Sequence, residues 1–110
     1  MKNLGSFRDA VRLSRCKWPH MCVSHLDMVL TIALNPGISQ RELGEECGSN
    51  SPAVSRAIDV LSGRGRKDKV SGALGLVTAQ FNESDRRIRR LYLTEEGQQF
   101  AASLSAAAQQ

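Results

Sequence analysis

Two groups of side chains in this 110-residue chain have the types and spacing to do chemistry. The first is basic. Arg64, Arg66, Lys67 and Lys69 form one run, and Arg86, Arg87, Arg89 and Arg90 form another. Guanidinium groups crowded this closely repel one another unless a counter-charge meets them, so the second run favours a polyanionic partner over a solvated charged turn with none. The second group is Cys16, His20, Cys22 and His25, which are nitrogen and sulfur ligand types for zinc. Their spacing fits no common zinc finger, and Pro19 breaks any helical arrangement, so no metal site is expected. They read as packing and surface residues, with redox sensing through Cys16 or Cys22 as a minor alternative.

Nothing else suggests catalysis. There is no glycine-rich phosphate loop and no nucleophile beside a base. Ser39 and Ser51 are explained as helix caps, and Glu45 and Glu46 as an exposed acidic pair. No cofactor is called for. Lys and Arg total 15 against 11 Asp and Glu, which leaves a net charge of +4 and weakly favours a nucleic-acid partner. The length suits one domain, 1–110. The N-terminus carries no signal-peptide core, and no apolar run could span a bilayer, so the chain is expected in the cytoplasm, with no membrane partner. The three cysteines, Cys16, Cys22 and Cys47, are then expected as free thiols. Cys47 reads as a small core residue.

The basic residues need elements to hold them. Residues 5–17 predict a helix with a thin apolar stripe, Phe7, Ala10 and Val11. Residues 24–35 predict a second, with Leu26, Val29, Leu30 and Ala33 at helical spacing and a cap pair of Ser24 and Asp27. Asn35-Pro36-Gly37 ends it. Ser39-Gln40-Arg41-Glu42 is a capping box opening a short helix over 40–47, which Gly48 stops. Ser49, Asn50 and Ser51 are cap candidates for a helix over 52–62, where Pro52 is tolerated in the first turn. That helix turns Val54, Ala57, Ile58 and Leu61 inward and Ala53, Ser55, Arg56 and Asp59 outward. Residues 63–73 read as a loop or a frayed helix end. Strands are predicted over 76–81 and 88–93 about a polar turn at 82–87. Thr94 then caps a helix over 95–108 with the stripe Gly97, Phe100, Ala101, Leu104 and Ala108. The fold class is mainly α with a small β-hairpin, a winged helix-turn-helix in the order α-α-α-α-β-β-α.

With these elements in place, the chain resembles the MarR family of winged-helix regulators over about residues 24–104. Asp85-Arg86-Arg87, five residues, Leu93-Thr94, two residues and Gly97 follow the family's D-x-R-x5-L-T-x-x-G wing signature. Ile38-Ser39-Gln40-Arg41-Glu42-Leu43-Gly44 with Gly48 resembles its helix-turn-helix entry, and Val54-Ser55-Arg56 with Asp59 and Leu61 its recognition helix. This chain is longer than usual between Leu61 and Leu76, has short flanking helices, and carries Val60 where relatives often have a basic residue.

The helix over 52–62 is the expected reader of the DNA major groove. Asn50, Ser51, Pro52, Ala53, Ser55 and Arg56 at its start are candidate DNA residues, as is Ser39 at the start of the preceding helix. Arg56 is open between forking onto a guanine and contacting phosphate. The resemblance implies that Arg86 or Arg87 enters the minor groove, oriented by Asp85. Arg89 and Arg90 lie on opposite faces of a strand, so at most one faces DNA, and Arg89 is counted among the candidates. Arg64, Arg66, Lys67 and Lys69 are candidates for backbone contacts, with a plain surface loop as the equal alternative.

The expected function is sequence-specific double-stranded DNA binding by a homodimeric transcriptional regulator, most simply a repressor. Residues 24–94 would form the helix-turn-helix and wing. The helices over 5–17 and 95–108 would dimerise through Phe7, Val11, Phe100 and Leu104. A small-molecule inducer is possible for such a protein but not indicated. The alternatives are a non-specific or replication-associated accessory protein of a plasmid or phage, and a winged-helix protein-interaction module.

Overall fold

The computed structural model describes residues 4–17, 22–62, 75–85 and 87–109. In chain order they form α1 (Leu4–Lys17), α2 (Val23–Leu34), β1 (Ile38–Ser39), α3 (Gln40–Cys47), α4 (Ser51–Ser62), β2 (Val77–Phe81), β3 (Arg89–Leu93) and α5 (Glu95–Gln109). This is the expected winged helix-turn-helix order with one addition. Ile38 and Ser39 pair antiparallel with Leu91 and Arg90, so the sheet has three strands in the order β1-β3-β2 rather than two.

Local chemistry sets the helix ends. Asn35 closes α2, its amide bonding back to the Thr31 and Ile32 carbonyls, and Gly37 takes a φ of +87° in the turn that follows. The capping box at α3 is complete: Ser39 Oγ accepts the Glu42 amide at 3.1 Å, and Glu42 Oε1 accepts the Ser39 amide at 3.3 Å. Gly48 ends α3 in the left-handed conformation. The expected Ser24–Asp27 cap is not used. Cys22 occupies the cap position of α2 and makes no side-chain bond there.

The core sits where α2, α3, α4 and α5 close on the inner face of the sheet. Ile32, Leu43, Ile58, Leu61, Leu76, Leu91 and Phe100 are its largest buried side chains. Each stabilises the fold by about 1.5–3 kcal/mol relative to exposure. The inward face expected of α4, Val54, Ala57, Ile58 and Leu61, is buried throughout. In α2 the rotation differs from expectation. Met28, Val29 and Ile32 point into the core, while Leu30 and Leu34 are exposed and Leu26 and Ala33 are half-buried. The helix VSHLDMVLTIAL is apolar on nearly every side, so two overlapping stripes satisfy the helical period, and packing against the sheet selects one. Cys47 is half-buried against the core, with Thr31 Oγ1 3.7 Å from its sulfur. Burial pushes its thiol pKa up.

α1 packs along α5. Ala10 and Ser14 face inward, and the Ser14 hydroxyl donates back to the Ala10 carbonyl at 3.1 Å. Among the described residues no helix is long and apolar enough to cross a membrane. The loop expected at 63–73 lies outside the described residues.

Candidate nucleic-acid interface

The α3–α4 unit depends on a close approach. A Cβ on Gly44 would stand 2.9 Å from the Ser49 carbonyl oxygen and 3.1 Å from Val54, so only glycine lets the turn and α4 cross α3 here. Asn50 Oδ1 accepts the Ala53 amide at 2.9 Å and caps α4. Beyond this cap, Ser51, Pro52 and Arg56 are exposed and Ala53 and Ser55 half-buried, on the side of α4 away from the core. The side chains of Asn50 and Ser39, both DNA candidates, spend their oxygens on caps.

The wing turn is closed by its own hydrogen bonds. Asn82 and Ile88 pair through the Asn82 amide at 2.9 Å, and Ile88 donates to the Asp85 carbonyl at 3.1 Å. Asp85 holds Arg87 twice over. Its Oδ1 accepts both the Arg87 amide, at 3.0 Å, and Nε, at 3.1 Å, while Oδ2 accepts Nη2 at 3.3 Å. These bonds, the side-chain ones foremost, keep the Asp85 carboxyl below the usual carboxylate range. The guanidinium remains exposed, so it is aimed but not buried. Arg86 lies outside the described residues, as do His20 and the run of Arg64, Arg66, Lys67 and Lys69.

The other half of the signature is structural. The Thr94 hydroxyl donates to the Gly75 carbonyl at 2.7 Å and accepts the Gly97 amide at 3.0 Å, which caps α5. A Cβ on Gly97 would run into the Leu76 carbonyl oxygen. Leu-Thr-x-x-Gly therefore seats α5 on the base of the wing, while Asp-x-Arg shapes its tip.

Strand register separates Arg89 from Arg90. Across β2, Arg89 pairs with Phe81 and Arg90 with Gln80, so the two arginines lie on opposite faces. Arg89 shares the face of buried Leu91 and lines a cleft of about 600 Å³ between α3, α4 and the wing. Arg90 turns away, donates to the Gly37 carbonyl at 3.2 Å and stands 3.8 Å from Glu42 Oε1. Hydrogen bonding by Ser39, side chain first and then amide, lowers the Glu42 pKa, and the Arg90 charge adds to this. Arg90 thus braces β3 against the capping box. Gln40 and Arg41, expected only within the capping box and not as DNA contacts, also line the cleft. Their place directly after the cap residue was the available signal.

Of the four residues expected at a dimer surface, Phe100 and Leu104 are buried within this chain's own core, whereas Phe7 and Val11 are exposed. Phe7, Val11, Leu30 and Leu34 edge an apolar groove of about 420 Å³ between α1, α2 and α5, and Leu104 also lines it. Cys16 and Cys22 are exposed free thiols, and His25 is half-buried.

Comparison with known proteins places this geometry. Residues 24–65 match the family described as winged helix-turn-helix DNA-binding. No curated protein matches the chain in sequence. Among solved structures, FabT of Streptococcus pneumoniae in complex with DNA has a TM-score of 0.72 at 16% identity, covering 90% of this chain and 62% of its own. The transcriptional repressor CouR, bound to a 23-mer DNA duplex, has a TM-score of 0.68 at 24% identity, covering 96% of this chain and 66% of its own. The MarR family transcription regulator SP03579 has a TM-score of 0.64 at 19% identity, with 96% and 59% covered. The chain therefore spans two thirds or less of the length of these three structures. The fold is the winged helix-turn-helix fold that such regulators share.

Proposed function

We propose that this protein is a MarR-type transcriptional regulator that binds double-stranded DNA sequence-specifically as a homodimer in the cytoplasm and represses by occluding a promoter. One observation carries the reading: α4 turns a Ser51-Pro52-Ala53-Ser55-Arg56 edge outward, with Ser51, Pro52 and Arg56 exposed, beside a wing whose Asp85 holds the exposed Arg87 guanidinium in a fixed direction. A helix of this size enters the major groove, and its small residues permit close approach, so that Arg56 can reach a base edge. Arg87 suits the adjacent minor groove, where a narrow groove concentrates negative potential.

One such helix reads only a few base pairs, so two copies on an inverted repeat are needed for specificity. α1 and the outer edge of α2 supply a surface for pairing. Exposed Phe7, Val11, Leu30 and Leu34 form an apolar face that a second copy would cover, with Leu104 as its floor. The solved structures of FabT and CouR with DNA support the DNA-binding part of the reading.

Selection from a random double-stranded DNA library at near-physiological salt tests it. An enriched inverted repeat is the expected result. Binding without enrichment would favour a non-specific accessory protein, and no binding would favour a protein-interaction module.

A further inference from the structure

Among the described residues, three arginines line the cleft between α3, α4 and the wing, and two of them are already paired. Arg41 Nε lies 3.4 Å from Glu45, which also lines the cleft, and Arg87 is held by Asp85. Arg89 is different. Among the described residues no carboxylate stands within ion-pair distance of it. Its Nε is buried without a hydrogen-bond partner. A buried donor is costly to leave unmade. The exposed Phe81 ring lies beneath the guanidinium, its centroid 6.0 Å away, and holds it without neutralising it. An aromatic-backed guanidinium with no counter-ion, at the wall of an open cleft, is prepared for an anion.

We propose that Arg89 and this cleft form a seat for one backbone phosphate of duplex DNA, and that the neighbouring Arg90 takes none. The proposal rests on the DNA-binding reading above. When α4 lies in the major groove and the wing reaches the next minor groove, the strand between them passes this cleft. The Ser51 hydroxyl and the Gln40 amide line the same space and can donate to phosphate oxygens. Arg90 is excluded by register: it lies on the other face, bonded to the Gly37 carbonyl and beside Glu42. The wing strand therefore divides its two arginines, one to hold DNA and one to hold the wing.

The test uses the full chain and a mixed-sequence duplex of about 30 base pairs, with affinity read by fluorescence anisotropy from about 50 to 300 mM salt. Arg89→Gln is expected to lose about tenfold in affinity and to flatten the salt slope by about one per bound protomer. Arg89→Lys is expected to keep the slope, because the charge remains, while losing the fork and some affinity. Arg90→Gln is expected to leave the slope close to that of the parent. Thermal melts confirm that each variant folds. An unchanged slope in Arg89→Gln, or a slope lost in Arg90→Gln instead, overturns the phosphate seat while the DNA-binding reading stands. Failure of the parent protein to bind any duplex overturns both.

Discussion

Replacing Gly97 with alanine sets two effects of opposite sign against each other. Gly97 is buried in the first turn of α5, and alanine is the better helix former by at most about 1 kcal/mol. Against this, the added Cβ would run into the Leu76 carbonyl oxygen and stand 3.2 Å from the Leu93 Cβ. That carbonyl has little freedom to retreat. It accepts the Thr94 amide at 3.0 Å, and the Leu76 amide donates to the Leu61 carbonyl at 2.8 Å. The start of α5 must move off Leu76 and the end of β3 instead, which pulls on the Thr94 cap. Overpacking costs about 1–3 kcal/mol, and a lost cap about 1 kcal/mol. After the propensity gain, the net loss is about 1–3 kcal/mol. For a domain of this size it lowers Tm by about 4–15 °C. Circular dichroism melts measure this directly. Gly5→Ala is the matched control, since nothing stands within 4 Å of its added Cβ, and it is expected to melt at or slightly above the parent. If Gly97→Ala melts as high as the parent, the steric account of the Leu-Thr-x-x-Gly segment is wrong.

Two further outcomes follow from burial and exposure. Phe7 is 62% exposed on the proposed pairing face, so Phe7→Asp is expected to leave the fold intact and weaken the dimer. Losing one buried Phe per copy is about 3 kcal/mol or more, roughly a hundredfold in dimer dissociation, readable by sedimentation; an unchanged dimer would move the interface elsewhere. Burial of His25 lowers its pKa below the ordinary 6.5, so the unfolded chain binds that proton more readily. Its contribution to stability is complete above about pH 6.5 and is lost as pH falls toward the folded value. Urea melts at pH 7.5 and 5.5 should show a decline that is smaller in His25→Gln, and an equal decline in both proteins would remove His25 as its source.

Much of the architecture was legible because it is encoded locally. A Ser-x-x-Glu capping box, a glycine in the left-handed region at 48 and an Asp two residues before an Arg act over a few residues and need no partner from afar. The sequence by itself therefore determined both ends of α3, the inward face of α4, the wing turn and the order of elements, though not the cap of α2. It also carried the chemistry of the proposed function, since residue types and spacing at 39–61 and 85–97 survive any packing.

What the tertiary structure decided were matters of rotation and register. Two overlapping apolar stripes in α2 obey the same period, and only contact with the sheet chose Met28, Val29 and Ile32. A two-residue strand such as Ile38–Ser39 has no pattern of its own and exists because β3 offers an edge. Phe100 and Leu104 are apolar enough for an interface or a core, and the approach of α1 to α5 made them core. Alternation placed Arg89 and Arg90 on opposite faces from the outset, but pairing with β1 and β2 determined which face met the cleft. Local signals fix the conformation of a segment; its rotation against the rest of the chain is set by contacts between residues far apart in sequence.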